Sequence, residues 1–78
     1  MHLMITWALT TTAAALPTLI GIAATPTAAH SALLAATRAA IARAGPGRHR
    51  YTLHCNGSLH AILVTDGRDA EQLLAQLH

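Results

Sequence analysis

Lysine is absent from this chain of 78 residues, and Asp, Glu, Lys and Arg are all missing from its first 37 positions. Aromatic residues amount to 3% and there is one cysteine, Cys55. Each shortage excludes something. A single cysteine rules out an intramolecular disulfide and a set of cysteine metal ligands. A chain this short buries only roughly 60–65% of its unfolded surface, so without a covalent or metal staple the expected support is oligomerisation, and a dimer is expected. The 53% apolar fraction is carried largely by alanine, which favours helix but buries little area. The core must therefore come from the few Leu, Ile and Val positions.

The charge that is present is uneven. The basic residues are Arg38, Arg43, Arg48, Arg50 and Arg68, and the acids are Asp66, Asp69 and Glu71, giving a net charge of +2. The arginine cluster suits a polyanionic partner; a solvated polar edge is the plainer reading. The apolar run over residues 3–24 has a second reading as a membrane span, since about 20 apolar residues suffice to cross a bilayer, or as a signal peptide with small residues at Thr27-Ala28-Ala29. Against both stand the lack of Lys or Arg ahead of the run and its dilution by Pro17 and five threonines. The expectation is one small α+β domain over 1–78 in the cytoplasm. The alternative is a membrane-anchored or exported protein in which residues 1–25 are an apolar addition.

Ile5, Thr6 and Trp7 suit a strand over 3–9. Thr10, Thr11 and Thr12 are candidate N-caps for a helix over about 13–24, in which Ala13, Leu16, Leu19, Ile20 and Ala23 recur at helical spacing. Thr25-Pro26-Thr27 breaks the chain. A second helix over about 27–44 places Leu33, Leu34, Thr37, Ala40, Ile41 and Ala44 on one face, and Gly45-Pro46-Gly47 stops it. A β-hairpin turned at Asn56-Gly57 follows, because that dipeptide accepts the positive φ angles of a type I′ turn. Unbroken pairing from the turn would put Leu53 opposite His60 and Tyr51 opposite Ile62. One face would then carry Tyr51, Leu53, Cys55, His60, Ile62 and Val64, and the other Arg50, Thr52, His54, Leu59, Ala61 and Leu63. The second strand is apolar on both faces and is expected to be the more buried, with the first nearer an edge. Asp66 is the expected cap of a last helix striped by Ala70, Leu73, Leu74 and Leu77.

The run 53–65, with its Asn56-Gly57 turn and the strand His60-Ala61-Ile62-Leu63-Val64-Thr65, resembles the Phd/YefM (prevent-host-death) antitoxin family. Asp66, Asp69, Glu71, Leu73 and Leu74 resemble the acidic segment and leucine helix that follow there. Leu33-Leu34 through Gly45 resembles the helix upstream, so the likeness covers roughly residues 31–77. It implies a homodimeric DNA-binding transcriptional repressor with operator DNA as partner. A cognate toxin is a further partner for members that continue into an arm past the last helix; this sequence stops at His78. The family opens with one charged helix, whereas here the N-terminal segment is uncharged and either 13–24 or 27–44 is an addition.

No enzyme, cofactor or metal is expected. The histidines and Cys55 match no standard zinc spacing, and a Cys55 nucleophile would need a base and an electropositive pocket for which only His60 and Arg50 can be named. Arg38, Arg43, Arg48 and Arg50 are the candidate DNA contacts, to phosphates or to guanine in the major groove. Leu33, Leu34, Ile41, Leu53, Ile62, Leu63 and Val64 are the candidate core and dimer residues.

Overall fold

The computed structural model describes residues 4–14 and 16–77; Leu3, where the apolar run begins, and His2 lie outside them. The chain runs β1 (Ile5–Thr11), β2 (Leu19–Ala23), α1 (Pro26–Arg43), β3 (His49–Cys55), β4 (Ser58–Thr65) and α2 (Ala70–Ala75). The strands form one antiparallel sheet in the order β2-β1-β3-β4, and α1 lies across one face of it.

Helix α1 begins where the local chemistry predicts. The Thr25 hydroxyl accepts the Ala28 N–H at 3.1 Å, satisfying one of the open donors of the first turn, and Pro26 occupies a first-turn position where no N–H is needed. The helix closes on Ala44, whose N–H donates to the Ile41 carbonyl, and Gly45 follows at φ +77°. Its buried residues are Ala29, Leu33, Leu34, Thr37, Ala40 and Ile41, the stripe that helical periodicity selects. Leu33, Leu34, Ala40 and Ile41 of this stripe form one core with Leu9, Tyr51, Leu53 and Leu63 from the sheet, and Ala70 and Leu74 from α2. Thr37 is tolerated in this core because its hydroxyl donates to the Leu33 carbonyl at 2.7 Å.

The Asn56-Gly57 turn is confirmed, with φ +54° and +80° and Cys55 opposite Ser58. The rest of the expected register is not. His54 pairs with Leu59, but Leu53 pairs with Ala61 and Tyr51 with Leu63, so His60 is an extra residue, a β-bulge. Beyond a one-residue slip every side chain changes face. Leu63 and Thr65 therefore join Tyr51 and Leu53 in the core, while Ile62 and Val64, expected inside, stand exposed on the outer face.

Other expectations are overturned as well. The N-terminal strand forms as β1 and the helix expected over about 27–44 as α1, but the helix expected over about 13–24 does not: residues 19–23 are strand β2, paired with β1 from Ile5↔Ala23 to Leu9↔Leu19. Pro17 sits in the loop between the two strands. This N-terminal hairpin docks on β3, from Trp7↔Cys55 to Thr11↔Tyr51, which makes β3 central and β4 the edge, the reverse of the expected order. The ladder is extended by the Arg50 N–H donating to the Thr12 hydroxyl at 2.9 Å and the Thr12 N–H to the Arg50 carbonyl at 3.1 Å. Asp66 does not cap α2. Its carboxylate accepts the Arg68 N–H at 3.0 Å in the preceding turn, and the N-cap position belongs to Asp69. Among the described residues no helix is long and apolar enough to cross a membrane.

Candidate nucleic-acid interface

One end of the sheet gathers the loop before β3, the end of β4 and the C-terminus of α1. The register brings His49 beside Thr65 and Arg50 beside Val64, and a methyl group at Gly67 would lie 3.7 Å from Ile41 Cγ2, so the 66–69 turn rests against the last turns of α1. Arg43 is the basic residue of that last turn, where a cation complements the helix dipole. Arg48 precedes β3, Arg50 projects from its outer side and Arg68 lies in the turn after β4; all three are exposed.

The acids at this end are held by local partners. Asp69 accepts a hydrogen bond from the Thr65 hydroxyl, which in turn accepts the Gly67 N–H at 2.9 Å. The Asp66 carboxyl is held below its ordinary range. The hydrogen bond from the Arg68 N–H is the main cause, and the charges of Arg68 and Arg48 add to it. Arg68 Nε stands 3.9 Å from Asp66 Oδ2, with the guanidinium almost fully in solvent.

Of the four arginines singled out in the sequence, Arg43, Arg48 and Arg50 belong to this end and Arg38 does not. Arg38 sits mid-helix and makes a two-pronged ion pair with Glu71 of α2, Nε–Oε1 2.8 Å and Nη2–Oε2 3.3 Å, so its fork is already used in joining the two helices. Arg68 takes its place, a residue that stands outside the 38–50 cluster along the chain. With Arg38 and Glu71 cancelling, the whole formal charge of +2 resides at the α1-C-terminal end of the sheet.

The remaining side-chain chemistry is dispersed. Cys55 shares a row with Trp7 on the helix-covered face, whereas Arg50 and Val64 stand on the other. The His60 ring meets His30 of α1 edge-on, with centroids 5.1 Å apart. Among the described residues no group of three or more His, Cys, Asp or Glu is close enough to hold a metal ion. A cleft of about 130 Å³ between α1 and the N-terminal hairpin is lined by Leu9, Leu16, Leu19, Ala40 and Arg43 among others, well below the roughly 300–1,000 Å³ of small-molecule sites.

No protein-family model matches the chain, and neither a curated protein nor a solved structure matches it significantly.

Proposed function

We propose that the protein is a small DNA-binding protein that acts as a homodimeric transcriptional repressor, with its basic end as the DNA contact. The observation that carries the reading is the segregation of charge. Arg43, Arg48, Arg50 and Arg68 come from a helix end, two loops and a strand start that converge at one pole of the molecule. Two chain segments, 43–50 and the turn holding Arg68, thus bring exposed arginines to the same end of the sheet, and such a concentration of cations suits a phosphate backbone. Phosphate contacts position such a protein, and a guanidinium that reaches a guanine edge adds sequence preference. The resemblance of residues 31–77 to Phd/YefM antitoxins supports the same class of function. A cytoplasmic location follows from this reading. Toxin neutralisation lies outside the proposal.

The test is a titration of a fluorescent duplex spanning the DNA upstream of the protein's own gene, read by anisotropy at a series of salt concentrations. Binding through phosphates must weaken as salt rises, with a slope set by the number of phosphates neutralised. Tight binding at low salt that decays along such a line is expected. Absence of binding at low salt, or binding indifferent to salt, overturns the proposal.

A further inference from the structure

The sheet face turned away from α1 is uncovered and apolar at both margins. On β2 it presents Ile20 and Ile22, 74% and 62% exposed; on β4 it presents Leu59, Ile62 and Val64, 57%, 52% and 47% exposed. Between these margins the outer face carries small groups on β1 (Thr6, Ala8 and Thr10), and on β3 Thr52 between the larger Arg50 and His54. The register gives cross-sheet rows Ile20–Ala8–His54–Leu59 and Thr10–Thr52–Ile62. The face is thus lowest along β1 and at Thr52, a furrow flanked by the β2 ridge on one side and by His54, Arg50 and the β4 ridge on the other, and part of it is a depression of about 320 Å³ between Thr6, Ala8, Ile20 and His54. Among the described residues no acid projects from it.

We propose that this face is covered by a second copy of the chain, the β4 ridge of each copy seated in the furrow of the other. The area fits. The five ridge residues expose on the order of 500 Å² of mostly apolar surface, toward the upper end of the largest patches usual on a monomer. A standard interface buries about 800 Å² per partner, about two thirds of it apolar in homodimers. The shape fits as well. Ridge-in-furrow seating between identical faces requires a lateral offset of one to two strands, and a two-fold axis allows that offset only when it runs along the strands. An axis across the strands would stack β4 on β4 and leave the furrows empty. Edge-to-edge association is disfavoured, because the His60 bulge interrupts the β4 edge and β2 is only five residues long.

The strand-parallel axis sets both basic ends on the same side of the dimer. The association is argued from the apolar face and measured without DNA; a monomeric chain would remove the dimer from the proposed function and leave the DNA contact to its own salt titration, while failure of DNA binding leaves the dimer untouched.

Sedimentation velocity on the full chain gives the test. The wild type sediments as a dimer of the 8.1 kDa chain at micromolar concentration. Ile62→Glu on the ridge and Thr52→Arg in the furrow each weaken association by at least roughly tenfold, with unchanged circular dichroism. Ala35→Glu, on the exposed side of α1, leaves it unchanged. In a Cys55→Ser background, Arg48→Cys is joined to its counterpart by a short bismaleimide. A monomeric wild type overturns the proposal, as does a dimer indifferent to either the ridge or the furrow variant, or a dimer whose residues 48 cannot be cross-linked.

Discussion

The Trp7 indole lies directly on Gly21, its partner across the β1–β2 pair. A Cβ at position 21 would overlap the ring atoms Cε2, Cζ2 and Nε1. The bare glycine is what lets the indole cover the strand, an arrangement in which an aromatic ring shields a strand glycine from solvent. Gly21→Ala should therefore lower stability by about 1–3 kcal/mol through overpacking, although alanine is ordinarily the better residue in a strand interior. Denaturant unfolding together with a red shift of Trp7 fluorescence reads this. A stabilised Gly21→Ala would show that the ring does not rest there.

The turn at Asn56-Gly57 needs positive φ at both positions, and Gly57 at +80° has nothing near its missing side chain. Gly57→Val is thus a test of backbone strain alone, expected to cost about 1–3 kcal/mol. An unchanged melting temperature would refute the type I′ assignment.

The bulge at His60 separates two neighbouring residues. Leu63 is 7% exposed and Ile62 52%. Leu63→Asp should unfold the chain, since burying an unpaired carboxylate costs several kcal/mol, comparable with the whole stability of a small domain. Ile62→Asp, measured in dilute solution where the chain is monomeric, should change stability by no more than about 0.5 kcal/mol. The reverse order of effects would restore the unbulged register.

These positions also show what the sequence displays and what it hides. The Asn56-Gly57 turn and helix α1 are legible because each rests on local chemistry: positive φ, a Thr25 cap, a Pro26 start, a 3.6-residue stripe. Strand β2 is not, since Leu19, Ile20 and Ala23 also fit a helical stripe. Only pairing with β1 decides for a strand, and Ile22 and Gly21 are the residues that hint at it. The apolar second hairpin strand conceals its register, because either face offers plausible core residues and one extra residue at His60 leaves no periodic trace. The ion pair of Arg38 with Glu71 spans 33 positions, and nothing local marks Arg38 as engaged or Arg68 as part of the basic end.

Asp66 offers a pH test. Its carboxyl titrates below its ordinary value of 3.8, chiefly because the Arg68 N–H bonds the charged form, with the Arg68 and Arg48 charges assisting. A depressed folded-state value contributes stability above the unfolded value that is lost as pH falls through the folded one. Asp66→Asn should therefore flatten the fall in melting temperature below pH 3.8. It should also tighten DNA binding at neutral pH by removing a negative charge from the basic end. An acid limb identical to wild type would show that Asp66 is not held in this way.

The central claim is that the basic end binds DNA, and its most direct test is the salt slope of DNA affinity in two variants. Arg43→Ala with Arg48→Ala removes two exposed cations from that end while sparing the core and the outer sheet face. Arg38→Ala removes one already paired with Glu71. The double variant should bind more weakly with a log–log slope smaller by about 2, roughly one for each phosphate left without its arginine, and Arg38→Ala should keep the wild-type slope. An unchanged slope in the double variant, or a slope that falls only in Arg38→Ala, would contradict the account.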